Sequence, residues 1–162
     1  MKVIKNGAMV EDQWTHLEDD SALNPGVCAT VTLGRLETLS ENESSVAAKL
    51  GARIAPSEDV NRLAPYLSQL DLVVLAMNPF TDGRSFSQAR ILREQLGYRG
   101  EIRAKGDFLR DQMYALQRLG VDSFEFAEGT DLVDRLKAFT EFTVTYQAAQ
   151  DEPQPLYRRR RG

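Results

Sequence analysis

From Leu72 to Met77 the chain reads Leu-Val-Val-Leu-Ala-Met with no polar residue. A strand with one wet face alternates apolar and polar residues, so this unbroken run suits a strand covered on both sides, at the centre of a sheet with helical crossovers. It belongs to a βαβα unit running from Leu70 to Asp122. After the strand comes a polar turn, then Ser85 and Gln88 at capping-box spacing. Phe86, Ala89, Leu92 and Leu96 recur at helical spacing until Gly97 can take a positive φ. In the next strand Ile102 and Ala104 share one face while Arg103 and Lys105 share the other. Asp107 is placed to cap a helix that carries Leu109, Met113 and Leu116 to an end at Gly120.

The flanking segments continue the alternation. Val3 and Ile4, Asn6-Gly7, then Ala8 to Val10 predict a hairpin with a type I′ turn. Trp14 and Leu17 are read as covering one end of the core, and Val27 to Leu33 as an inner strand holding Cys28 as a small buried hydrophobe. Ser40 with Glu43 is a capping box for a helix through Val46, Ala47 and Leu50 to Gly51, and Ala52 to Ala55 is a short strand. Ser57 caps a helix through Leu67 that Pro65 kinks or divides. Ser123 to Phe126 is a last strand, and Thr130 caps a helix with Leu132, Val133, Leu136 and Phe139 as its stripe. The expected fold is α/β, a three-layer sandwich with a mostly parallel central sheet and an N-terminal β-hairpin. Residues 1–150 form its single domain, and 151–162, with two prolines and Arg158 to Arg161, form a disordered basic tail.

Composition enters by exclusion. Cys28 is the only cysteine and His16 the only histidine, so this chain alone can form no intrachain disulfide, Cys-rich zinc site, CxxC redox pair or iron–sulfur cluster. Glycine-rich nucleotide fingerprints and G-x-S-x-G are absent, and His16 has no serine partner nearby in sequence. The expectation is therefore no cofactor and no metal. No apolar run approaches the roughly 18 residues of a membrane helix, and the first ten residues lack the core of a secretion signal. This predicts a soluble, cytoplasmic protein without membrane contact. A formal net charge of −4 argues against nucleic acid as a partner, the arginine run notwithstanding.

Polar residues crowd into Asn78–Ser85 and Lys105–Asp107, each segment following a strand and opening a helix. In parallel sheets ligands bind outside the carboxyl ends of the strands. Residues 82 to 112 hold seven Lys or Arg against five Asp or Glu, a basic stretch in an acidic chain. Arg84, Arg103 and Lys105 can clamp a carboxylate, sulfate or phosphate, with Asp82 or Asp107 as acid or base. Alternatively Asp82 pairs with Arg84, Arg90 or Arg103 only to hold two loops together.

At these residues the chain resembles a known family. The block from Phe80 to Phe126, FTDGRSFSQARILREQLGYRGEIRAKGDFLRDQMYALQRLGVDSFEF, is similar to the signature of the bacterial DUF934 family, often described as probable oxidoreductases involved in sulfite reduction. The resemblance extends more loosely upstream and covers nearly all but the tail. It carries over Phe80, Thr81, Asp82, Gly83, Arg84, Ser87, Arg90, Arg93, Gly100, Glu101, Arg103, Ala104, Gly106, Asp111 and Gln112. Two positions depart from the family's pattern. Ser85 stands where glycine is common, and Leu119 stands where many relatives have a cysteine, so no redox role for that cysteine transfers. The resemblance implies an accessory component of assimilatory sulfite reduction and cysteine biosynthesis. It would bind a sulfite reductase component or a small oxyanion at a rim formed by Thr81, Asp82, Gly83, Arg84, Ser87, Arg90, Arg103, Lys105, Asp107, Asp111 and Gln112. An enzyme acting on a small anionic metabolite and a non-catalytic structural adaptor are the alternatives.

Overall fold

The structure is a computed structural model and describes residues 1–77, 83–107 and 109–141. Strands β1 (Lys2–Lys5) and β2 (Ala8–Glu11) form the expected hairpin, with Asn6 at φ 50° and Gly7 at φ 79°, as a type I′ turn requires. A third strand, β3 (Trp14–His16), occupies what the sequence suggests is a cover for the core. Then follow β4 (Cys28–Thr32), α1 (Leu33–Thr38), α2 (Glu41–Ser44), β5 (Lys49–Ile54) and a 3-10 helix over Val60–Gln69 that contains Pro65. The chain continues through β6 (Leu72–Ala76), α3 (Arg84–Arg90) with a π-helical turn at Ile91–Gln95, β7 (Glu101–Lys105), α4 (Arg110–Arg118), β8 (Ser123–Glu125) and α5 (Leu132–Glu141).

The fold is α/β with a mostly parallel sheet. Strand order is β2-β1-β8-β7-β6-β5-β4-β3, with β3 to β8 parallel in chain order and β1 antiparallel to both β8 and β2. β2 and β3 are opposite edges, yet only Asp12 and Gln13 separate them in sequence. A flat sheet of this many strands would hold its edges about 34 Å apart, whereas three Cα steps span at most about 11 Å. The sheet therefore curls until its edges nearly meet.

This curl decides what covers each face. Parallel strands laid side by side in one direction, joined by right-handed crossovers, bring every helix to the same side. That outer side holds one apolar cluster, in which Val31, Leu50, Ile54, Val73, Leu75, Ile102 and Phe124 meet Leu36, Leu63, Leu92, Met113 and Leu116 from the helices. The inner side is covered by the sheet itself. β6 is buried on both faces as its apolar run predicts, with Leu72 and Val74 facing inward and fully buried outside the helix-facing cluster.

Several local expectations shift. The Ser40–Glu43 capping box is present, but its helix ends at Ser44, and Leu50 and Gly51 belong to β5. Gly51 is no helix terminator. A Cβ there would lie 3.0 Å from both the Leu72 carbonyl oxygen and Thr30 Cγ2, so glycine is what lets three strands pack closely. Asp59 rather than Ser57 caps the 3-10 helix, accepting from the Asn61 N–H, and Asp131 rather than Thr130 accepts from the first N–H groups of α5. Ser85 and Gln88 are buried against the sheet, donating to the carbonyls of Ala76 and of Ala55 and Glu58, instead of capping α3, which follows Gly83 at φ 84°. The 151–162 tail lies outside the described residues.

Candidate functional site

Alternation along strands puts alternate residues of β4, β5, β7 and β8 on the inner face, and here they are polar. Thr30, Arg53, Glu101, Arg103, Lys105, Ser123 and Glu125 share that face by register. His16 of β3 and Asp12 of the β2–β3 link join them across the curl. Arg103 and Glu125 side chains are each only 2% exposed, and Asp12 is 4% exposed.

The network has a direction. Arg53 donates to Thr30 Oγ1 (2.9 Å), to the Thr30 carbonyl (3.0 Å) and to the Leu17 carbonyl (2.6 Å). Thr30 Oγ1 lies 2.7 Å from His16 Nδ1, and His16 Nε2 lies 2.9 and 3.0 Å from the two Glu125 oxygens. Neutral His16 satisfies every group with the proton on Nε2, donated to Glu125, while Nδ1 accepts from Thr30. On the other side Arg103 reaches Asp12 (3.0 Å), Glu125 (3.2 Å), Glu101 (3.3 Å) and Ser123 Oγ (3.3 Å). Ser123 Oγ and Lys5 each donate to Glu101, at 2.6 and 2.7 Å, and Lys105 Nζ stands 3.3 Å from Glu125.

Burial alone would raise the Glu125 carboxyl, but the His16 hydrogen bond, the positive charge of His16 when it is protonated, the charge of Lys105 and the Arg103 hydrogen bond outweigh it and bring it down to about 2. Burial likewise opposes ionisation of Glu101, and its bonds to Lys5 and Ser123 overcome this and hold it low. Burial disfavours the Arg103 charge, yet Asp12, Glu101 and Glu125 raise its pKa further still. Asp12, His16 and Glu125 bring donor atoms within 4.8 Å of one another, a spacing a cation could bridge. The Arg103 guanidinium already bonds both carboxylates of that group, so their charge is met from within the protein.

Both ends of the curled sheet are hollow. At the carboxyl ends a cavity of about 440 Å³ is lined by His16, Lys105, Asp107, Glu125 and Phe126, among others. At the amino ends another of about 450 Å³ is lined by Lys5, Trp14, Lys49, Asp71, Glu101 and Arg103, among others.

The rim expected from sequence is present in part. Ala76 pairs with Lys105, and Ser85 Oγ donates to the Ala76 carbonyl at 3.0 Å, so Gly83–Arg84 and Lys105 stand at the carboxyl end of adjacent strands. Lys105 is 43% exposed there. Thr81 and Asp82 lie outside the described residues. Arg84, Ser87 and Arg90 are exposed on α3, and Asp111 is exposed in the first turn of α4. Asp107 does not cap α4. It lies 3.7 Å from Arg135, and the Gln112 side chain instead accepts from the N–H of Leu109, the N-cap. Arg103 leaves the clamp, because its position two residues before the strand end turns it into the interior, onto carboxylates. Sequence reasoning missed Asp12, His16, Thr30, Arg53, Ser123 and Glu125. The legible signal was polar residues at every second position, Thr30-Thr32, Glu101-Arg103-Lys105 and Ser123-Glu125.

No curated protein matches this chain. The sequence model of one family matches residues 51–157, a span that takes in Arg53, Glu101, Arg103, Ser123 and Glu125 but starts beyond Asp12, His16 and Thr30. The chain thus belongs to the DUF934 family, described as bacterial protein of unknown function.

Proposed function

We infer that this protein is an accessory component of assimilatory sulfite reduction, and so of cysteine biosynthesis, that binds a sulfite reductase component or a small oxyanion at the rim. The description attached to the resembling signature block suggests the process. One observation supports the place: the Ser85–Ala76 bond beside the Ala76–Lys105 pairing, with Arg84 and Lys105 at the carboxyl ends of the strands, the edge where parallel sheets usually take ligands. Two arms test it. Affinity capture from the native cytoplasm should recover a sulfite reductase polypeptide with the wild type and lose it with Arg84→Ala and Lys105→Ala. Thermal melts at matched ionic strength should show stabilisation by sulfate or sulfite, about 2.7 kcal/mol at one hundred times the dissociation constant. Failure of both arms removes the proposal.

A second reading has its own support. His16 is backed by an ionised buried carboxylate and lines the carboxyl-end cavity together with Lys105. Such a pair suits proton transfer on a small anionic metabolite. Under this reading His16→Gln abolishes turnover while leaving partner capture intact.

A further inference from the structure

The cavity at the amino ends of the strands lies on the far side of the buried network from the rim, and most of its charged floor is already committed. Arg103 and Asp12 bond each other, and Lys5 bonds Glu101. Around that floor stand groups that are not committed. Lys49 has no hydrogen-bond or ion-pair partner among the described residues, nor has the indole N–H of Trp14 or the Gln13 amide. Asp71 spends one carboxylate oxygen on the Leu50 N–H at 3.3 Å and has no ion pair among the described residues. The adjoining strand starts bring these charges to one cavity: Lys49 opens β5, the Asp71 N–H bonds the carbonyl of Leu50, and both residues line the hollow. Val3 and Val10 supply an apolar wall.

We propose that this cavity is a binding site for a small zwitterion of the amino-acid type, its carboxylate taken by Lys49 with the Trp14 N–H and its ammonium by Asp71. The lining selects against simpler ions. A lone anion would face Glu101, Asp12 and Asp71, and a lone cation would face Lys5, Lys49 and Arg103, whereas a ligand carrying both charges meets complementary groups on each side. A volume of about 450 Å³ holds a molecule of that size with water.

Trp14 is the only tryptophan, so fluorescence excited beyond the tyrosine absorption reports this mouth. Titration with L-alanine should give a saturable change, and acetate and methylammonium should bind roughly ten-fold more weakly or worse, each forfeiting one charged hydrogen bond. Lys49→Met and Asp71→Asn should each weaken L-alanine binding by a similar roughly ten-fold factor. Lys49 is exposed, and asparagine keeps an oxygen for the Leu50 N–H, so both variants should melt with the wild type. If Asp71→Asn fails to fold, Lys49→Met decides alone. No saturable response to L-alanine, L-serine or β-alanine into the tens of millimolar overturns the proposal, as does acetate binding equally tightly or an affinity unchanged in Lys49→Met.

Discussion

The two faces of β7 are built from opposite chemistry. Ile102 and Ala104 point outward into the helix-covered cluster, while Glu101, Arg103 and Lys105 point inward to carboxylates, a hydroxyl and each other. The outer face is held by apolar area, which is non-directional and forgiving, and the cost of trimming it grows with the methyl groups removed. The inner face is held by matched charges in a dry interior, where each group is tolerable only while its partners remain. One strand thus carries two failure modes. Barrels of parallel strands usually fill their interior with branched apolar side chains. A charged interior is the feature that most needs explaining here, and both cavities abut it.

The largest effect should come from the inner face. Arg103→Met keeps length and apolar bulk but strands Asp12, Glu101 and Glu125, and should cost about 3–5 kcal/mol. Urea unfolding at neutral pH measures it, and a loss below about 1 kcal/mol would show that water reaches the carboxylates.

Acid comes next. The folded Glu125 carboxyl sits at about 2 against an ordinary 4.5. The stability it contributes is therefore fully present above its unfolded pKa and is lost as pH falls from about 4.5 through about 2. The linkage amounts to about 3 kcal/mol. Glu125→Gln should flatten that part of the stability–pH curve. A variant that keeps the wild-type slope would place the acid sensitivity elsewhere.

On the outer face, Ile102→Val should cost only about 1 kcal/mol, with no change in pH dependence. Should it instead rival Arg103→Met, the contrast between the faces fails. The smallest effect is expected at Cys28, which is half-buried at the start of β4. Cys28→Ser should change stability by about 1 kcal/mol at most and leave partner capture unchanged. A folded Cys28→Ser protein that captures nothing would show an active thiol.

What the sequence by itself determined is whatever depends on neighbours a few residues away. The apolar run of β6, the Asn6-Gly7 turn, the Ser40–Glu43 box and the Gly97 and Gly120 helix ends all follow from local φ/ψ preference or periodicity. The split of β7 into Ile102 and Ala104 against Arg103 and Lys105 was legible too, because strand alternation is local. The side each face would turn to, water or interior, was not. That depended on the two-residue link from Glu11 to Trp14 joining opposite edges of one sheet. The same closure made His16, read as part of a lead-in, the partner of a carboxylate 109 residues away. It also withdrew Arg103 from the rim and turned it onto Asp12, which lies 91 residues off. The pairing of charges across a curled sheet is set by long-range geometry, since burial fixes the energy of a charged group and only the closed sheet decides what is buried.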